Sequence, residues 1–500
     1  MASRPLGSLA RNSGYSFLTQ VIPLVASILI IPQLINRLGT DRFGVLSLSW
    51  VFIGYFTLFD LGLGRATTKF VAEYLAKEKQ QEIPSLIWTS WILLSGLGVI
   101  AGLALFLLIP VLVENVLKVP LELIDEVQAA FVWIACSIPL VIYTTGIRAV
   151  LEAYQRFETI ALIATPASIL NYLIPLLALL FTQRLNTIVL LLLLNRAIFM
   201  GIYAWGCLRS VPGLGKPKWL DRNLLGPLVC FGGWLTVTNI IGPLMAYLDR
   251  FLVGALLSVS AVAYYVTPYE MLHRLQVIPR SLMIVLFPTF SSLNVASIDE
   301  SSKLFHRAVR SLFLTMLPVT MVFITQAEDI LRVWIDKDFA AHSAPVLQWL
   351  ALGVLINTLA QVAYNWMQSA GYANVTAQFH LLELPIYLAL IWGLTQVFGI
   401  VGVAMAWVIR VALDAVLLFW FAARSLASSR RNFDYFIKLF LLGIGLYLVL
   451  TMLTTATVGL LARIALVIVV MMIYVMIVWC WFLSPEERRA VLSSILNRIR

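Results

Sequence analysis

Charge is scarce in this chain of 500 residues. Lys, Arg, Asp and Glu together make up 12% of it, about half the share found in ordinary globular proteins. Hydrophobic residues make up 61%, and the mean hydropathy is +0.92. Such a chain cannot be a soluble enzyme, and a polytopic membrane protein is the class that remains. At about 20 apolar residues per spanning helix plus short loops, it has room for about fourteen spans. Short alternating segments are missing as well, because the apolar runs continue for about twenty residues or more, and this excludes a membrane β-barrel. Cysteine is nearly absent: Cys136, Cys207, Cys230 and Cys480 lie far apart inside apolar runs, with no CxxC spacing. Neither a metal site nor a disulfide framework is expected. Acidic residues are outnumbered, 25 against 35 Lys and Arg, for a net charge of +10. In a soluble protein that balance would suggest nucleic acid. Here it points to basic loops and an anionic cargo, with no nucleic-acid partner. There is no HExxH, no P-loop lysine motif and no placed Gly-rich fingerprint, so no cofactor and no enzymatic activity are expected. Asp60-Leu61-Gly62-Leu63-Gly64 closes an apolar run and follows no strand, so its glycines read as packing or hinge positions.

Apolar runs between charged or Pro/Gly punctuation predict helices near 14–36, 43–63, 84–110, 127–150, 159–181 and 187–208. The second half predicts 226–256, 260–290, 306–326, 346–370, 376–397, 399–424, 436–455 and 458–483. Two arginines precede the first run, which reaches Ile35 without a small-residue cleavage site, so it reads as an uncleaved span. Lys and Arg collect in the even-numbered connections, as in Arg65, Lys69, Lys77 and Lys79, or Arg209, Lys216, Lys218 and Arg222. The third connection is acidic instead, with Glu114, Glu122, Asp125 and Glu126. This asymmetry predicts that both termini are cytoplasmic, although Arg37 and Arg42 in the first connection run against it. At the C-terminus, Ser484-Pro485-Glu486-Glu487 reads as a capping box. It leads into an apolar stripe (Val491, Leu492, Ile495, Leu496, Ile499) beside four arginines, a helix suited either to lie on the anionic inner leaflet or to dock a partner.

A shift of about 220 residues brings two parts of the chain into step. Val21-Ile22-Pro23-Leu24 meets Ile241-Gly242-Pro243-Leu244, and near the end of each half Asn195-Arg196-Ala197 sits opposite Ile409-Arg410-Val411. An even number of spans separates the copies, so the halves are parallel repeats, as in transporters with two rocking lobes. The expected architecture is an all-α polytopic membrane protein of about 14 transmembrane helices. Two parallel six-helix lobes surround a central cavity, with two extra C-terminal helices. The expected divisions are an N-terminal lobe at 1–222, a C-terminal lobe at 223–430, spans 13 and 14 at 431–483, and a cytoplasmic amphipathic tail at 484–500. Pro268, Pro279 and Pro288 in the eighth span predict a built-in bend.

Ionisable residues at membrane depth are costly and usually face a cavity or one another. Arginine predominates among them, and its planar fork is suited to phosphate. Arg196 has no close acid partner and recurs opposite Arg410. Glu270 with Arg274, and Arg410 with Asp414, stand at i,i+4, so each is either an in-helix pair or a cargo contact. Arg148, Arg280 and Arg463 fit snorkelling near helix ends. His273 and His380 fit packed, hydrogen-bonded histidines. Asp249, beside Arg250, and Glu383 are candidates for a coupling cation or proton.

Several motifs occur in a recognisable order. They are Asn12-Ser13-Gly14 opening the first span, Leu38-Gly39 with Phe43-Gly44 after it, and Phe59-Asp60-Leu61-Gly62-Leu63-Gly64 closing the second. Later come Gly232-Gly233-Trp234, then Tyr247-Leu248-Asp249-Arg250-Phe251-Leu252-Val253-Gly254, and Pro279 with Leu286-Phe287-Pro288. In these the chain resembles, through about residue 425, the polysaccharide transporters of the MOP flippase superfamily, the Wzx-like exporters of undecaprenyl-linked oligosaccharides such as O-antigen units. The resemblance implies a multi-pass protein of the bacterial inner membrane. Its cargo would be a lipid-diphosphate-linked glycan whose head group crosses a cationic cavity while the polyprenyl tail stays in lipid, with lobe rocking reset by an ion or proton gradient. It implies Arg196, Arg250, Arg274, Arg280 and Arg410 as substrate-binding residues, Asp249 and Glu383 as coupling-ion residues, and polysaccharide polymerases or glycosyltransferases as partners. Three other readings stay open: a MATE-like cation-coupled antiporter, a membrane glycan polymerase or ligase, and a scaffold for a synthesis complex. The arginines argue against the first, and the short acidic outer segments against the second.

Overall fold

The computed structural model describes residues 6–57, 59–228, 247–426, 433–455 and 459–483, together with 485, 488 and 489. The described residues contain helices and no strand. In order these are α1 (Leu6–Phe56), α2 (Leu63–Ala76), α3 (Ile83–Pro110), α4 (Ile124–Ala153), α5 (Phe157–Ala178) and α6 (Leu185–Ser210). After them come α7 (Val259–His273), α8 (Val277–Ala296), α9 (Ile298–Thr325) and α10 (Ala327–Trp334). The last are α11 (Lys337–Ser369), α12 (Ala373–Ser425), α13 (Phe433–Thr455) and α14 (Leu460–Ile477). Nine helical segments among the described residues are long and apolar enough to cross a membrane. On α3, Ile100, Leu103 and Leu107 are among the large side chains left exposed, as hydrocarbon rather than water as solvent would allow. The protein is an all-α, multi-pass membrane protein.

A count of helices understates the crossings. α12 has 53 residues, about 80 Å at 1.5 Å per residue, far more than a hydrocarbon core of about 30 Å. It is broken at Gly399, where φ is 57° and ψ −135°, a conformation that L side chains avoid. Its two arms lie side by side, because Glu383 on the first reaches Arg410 on the second. The expected boundary between 397 and 399 falls at this break. α1 has a similar break at Gly39 (φ 77°, ψ 163°), between the first two expected spans.

The bend expected in the eighth span is present, and the structure locates its cause. A 3-10 turn, Arg274–Gln276, separates α7 from α8. Pro279 lacks the amide that would bond the carbonyl of Leu275, and its ring crowds that carbonyl. The helix is rebuilt at that point. The expected basic connection after the second span is instead a helix, α2. Leu63, Ala66, Thr67 and Val71 are buried along one face of it, while Lys69 and Lys77 both pair with Glu73 outside (3.7 and 3.9 Å). Helices α9 and α11 begin earlier than apolar runs indicate, because Ser297 and Asp336 cap them by accepting from the amides of Glu300 and Phe339. Most of the expected seventh span (226–256) and nearly all of the amphipathic tail lie outside the described residues.

The chain divides into two compact units, Met1–Thr267 and Pro268–Arg500. In the first, α3 packs on α4, α4 on α6, and α1 on α5. Glu126, at the start of α4, accepts from Arg42 of α1 (3.1 Å) and from the Leu185 amide that opens α6 (2.5 Å). Of the two arginines of the basic first connection, Arg42 is thereby paired with an acid of the third connection. In the second unit the core includes Phe290, Phe305, Met367 and Leu418 around Trp366. The Trp366 indole donates to Asn294 (3.1 Å) and Ser301 (3.2 Å). α13 and α14 belong to this unit. Tyr474 donates to the Leu314 carbonyl (2.8 Å), Gln326 to that of Leu450 (3.3 Å), and Arg463 pairs with Asp329.

Candidate functional site

The first unit holds an open cavity of about 460 Å³, within the range of small-molecule sites. It is built from helix ends and mid-helix polar positions that the apolar pattern leaves over. Thr57 closes α1, and the turn to α2 supplies Asp60. α2 adds Arg65 and Thr68, α4 adds Thr144, Thr145, Arg148 and Glu152, α5 adds Asn171, and α6 adds Asn195, Arg196 and Tyr203.

The turn is held by its own side chain. Asp60 accepts from the backbone N–H groups of Gly62 and Gly64, both at 3.0 Å. It thereby satisfies free amides at the start of α2, where a carboxylate is favoured. Gly62 has φ 72°, and a Cβ on Gly64 would lie 2.6 Å from Asp60 Oδ2. These glycines permit the close turn that places Asp60 on the cavity wall. Thr68 donates to the Ala149 carbonyl at 3.0 Å and fixes α2 to α4.

Two arginines of the cavity differ in their commitments. Arg148 pairs with Glu152 one turn later (3.7 Å). Among the described residues Arg196 makes no ion pair, and its Nε is buried without a hydrogen-bond partner. The side-chain carbonyl oxygen of Asn171, another lining residue, is likewise buried and unpartnered. A buried polar atom left unpaired costs about 1–3 kcal/mol, and two of the lining residues carry one each. A phosphate accepts from guanidinium, and a sugar hydroxyl donates to an amide oxygen.

The other residues singled out from sequence lie elsewhere. Asp249 and Arg250 are buried in the first unit, away from the walls of this cavity. Asp249 accepts from Tyr265 Oη at 2.7 Å, and the Arg250 guanidinium covers the Tyr247 ring at 4.9 Å. In the second unit Arg274 pairs with Glu270 (3.7 Å), and Arg280 lies 3.4 Å from His273. Arg410 does not form the in-helix pair with Asp414. It crosses the α12 hairpin to Glu383 (3.5 Å), while Asp414 meets His380 (3.9 Å), which stacks on Tyr364. Glu383 is fully buried. Glu383 and Arg410, assigned to coupling and to cargo from sequence, are therefore joined. Arg463, read as snorkelling, is paired with Asp329. Among the described residues no three His, Cys, Asp or Glu side chains converge as a metal site would require.

Sequence reading missed Arg65, Asn171, Asn195 and the cavity role of Arg148. Asn195 beside Arg196 was a usable signal, since an amide next to a cation in an apolar helix rarely faces lipid. Asn171 and Arg65 carried none, because only the folding of α2, α4, α5 and α6 around one space brings them together.

Comparison with known proteins places this geometry in context. Residues 9–294 match the family described as polysaccharide biosynthesis protein. A protein of Shigella flexneri named as an O-antigen transporter is 30% identical over 417 residues, covering 83% of this chain and 98% of its own. Among solved structures, the lipid II flippase MurJ in an inward closed conformation superposes with a TM-score of 0.71 at 14% identity, over 94% of this chain and 99% of its own. An inward-facing multidrug resistance MATE transporter of the MOP superfamily gives 0.66 at 14% identity, over 82% and 98%. At these identities the solved structures are evidence for the fold alone.

Proposed function

Since the chain belongs to the polysaccharide biosynthesis protein family, we propose that it is a flippase for a polyprenyl-diphosphate-linked oligosaccharide in cell-surface polysaccharide biosynthesis. The observation that carries this reading is the cavity of the first unit, with Arg196 uncommitted among amides and hydroxyls. Its arginines would take the diphosphate and its neutral polar groups the adjoining sugar. The polyprenyl tail, which needs no polar site, would stay in lipid.

The remaining assignments belong to the same proposal. The lobes are 1–222 and 223–430, followed by spans 13 and 14 at 431–483 and the tail at 484–500, with both termini cytoplasmic. Transport proceeds by alternating access, with Arg250, Arg274, Arg280 and Arg410 joining Arg196 along the cargo path. An ion or proton gradient acts through Asp249 and Glu383. The Glu383–Arg410 pair suits such coupling, because a cation or proton taken up by the carboxylate would free the guanidinium for an anionic head group. No catalytic step is assigned to the protein, and any polymerase or glycosyltransferase would act as a partner.

The test is translocation of a labelled undecaprenyl-diphosphate oligosaccharide in proteoliposomes, comparing the unaltered protein with Arg196→Ala. Translocation by the unaltered protein that falls about ten- to a hundredfold in the variant, the range expected for one charged hydrogen bond, is the expected result. Efflux of a cationic dye with no glycan movement would move the protein to the antiporter reading. Extension of a supplied glycan donor would move it to the polymerases.

A further inference from the structure

The sixth and twelfth expected spans end in the same way, in Trp205-Gly206-Cys207-Leu208-Arg209 and Trp420-Phe421-Ala422-Ala423-Arg424, with both the tryptophans and the arginines 215 residues apart. At each end the arginine folds back over the tryptophan one turn before it, with the guanidinium 4.0 Å from the ring in the first unit and 4.1 Å in the second. Both rings are half exposed, Trp205 at 55% and Trp420 at 48%. Each closes an exposed apolar stripe on one helix face. Ile198 and Ile202 lead to Trp205 on α6, and Val416 leads to Trp420 on α12. On a membrane-spanning helix such a stripe borders hydrocarbon, so its end reaches the level of the lipid head groups, where tryptophan is favoured. Arg209 and Arg424 have no ion-pair partner among the described residues.

We propose that each Trp–Arg stack is a binding site for the phosphodiester head group of an anionic phospholipid, one per repeat, in the leaflet bordered by the basic connections. The indole holds the guanidinium plane by cation–π contact. That leaves the N–H edge directed away from the ring, in the fork that binds two oxygens of one phosphate. The acyl chains then lie along the apolar stripe. Each site is at a helix C-terminus, whose carbonyls repel an anion, so the arginine has to supply the attraction. The inference rests on the membrane-spanning fold and is independent of the cargo.

The experiment is native mass spectrometry of the full-length, detergent-solubilised protein titrated with phosphatidylglycerol or with phosphatidylcholine. Two phosphatidylglycerol molecules are expected to bind ahead of phosphatidylcholine. Arg209→Ala and Arg424→Ala should each weaken one site by about ten- to a hundredfold, the effect of losing a charged hydrogen bond. The double variant should lose the preference altogether. Arg→Lys at both positions should restore part of it, because charge remains while the fork is gone. Equal binding of the two lipids, or an unchanged preference in the double variant, overturns the proposal. It also fails if undecaprenyl diphosphate displaces phosphatidylglycerol mole for mole from these two sites, since they would then belong to the cargo. These residues are exposed, so the variants should fold, and a monodisperse elution profile checks it.

Discussion

Arg196 and Arg410 stand opposite each other in the repeat, yet the structure gives them opposite surroundings. The Nε of each is buried without a hydrogen-bond partner, but Arg196 is on a cavity wall and pairs with no acid among the described residues. Arg410 is tied to a fully buried Glu383 across a hairpin and lies over the Tyr387 ring at 5.4 Å. The same residue type at the same register is available for a ligand in one unit and neutralised in the other. A duplicated position therefore does not carry a duplicated resting state. The acids around it decide that state, and no described acid of the first unit is paired with Arg196 as Glu383 is with Arg410.

That contrast can be broken from both sides. The largest effect is expected for Glu383→Ala, which strands a buried guanidinium. Removing one partner of such a pair costs about 3–5 kcal/mol, so thermal unfolding in detergent should shift down sharply. The double change Glu383→Leu with Arg410→Leu should recover most of the loss, and no recovery would mean that the pair is not what holds the hairpin. Arg196→Ala should behave in the opposite manner. Its unfolding temperature should stay within a degree or two, because no partner is stranded, while glycan translocation falls as described above. A large stability loss there would show that Arg196 is committed after all.

Smaller effects sharpen the same comparison. Gly399→Ala places a side chain at φ 57°, ψ −135°, which costs about 1–3 kcal/mol, and it should destabilise the second unit's hairpin without altering the first unit's cavity. Limited proteolysis across 373–425 would detect it. Arg148→Ala breaks a half-exposed in-helix pair with Glu152, worth about 0.3–0.5 kcal/mol. It should leave stability nearly unchanged and still reduce translocation, since Arg148 shares the cavity with Arg196. Unchanged translocation would confine the working arginines of that cavity to Arg196 and Arg65.

Much of the architecture was legible because the bilayer imposes one rule on every span. Backbone groups in hydrocarbon must be paired within their own segment, so runs of apolar residues report helices directly. Gly39 and Gly399 mark the turns in α1 and α12, and Pro279 marks the bend before α8, each for a local steric reason. α2 was not legible as a helix, because its polar outer face resembles a loop until Leu63, Ala66, Thr67 and Val71 find neighbours to bury against. The caps at Ser297 and Asp336 begin α9 and α11 in polar sequence that an apolar count passes over. In the site, Arg196 stood out as an arginine without a nearby acid. Asn171 and Arg65 did not, since each is unremarkable within its own segment.

Composition and apolar periodicity alone therefore determine that this is a helical, multi-pass membrane protein with an arginine-rich interior, because hydrophobic length and the cost of buried charge are properties of individual segments. Which arginine is free and which is bound is decided only by tertiary structure. Arg410 has an acid four residues away in Asp414, but the hairpin brings Glu383 to it from 27 residues back. Electrostatic partners are set by distance in space, and the fold is what converts a separation along the chain into a contact.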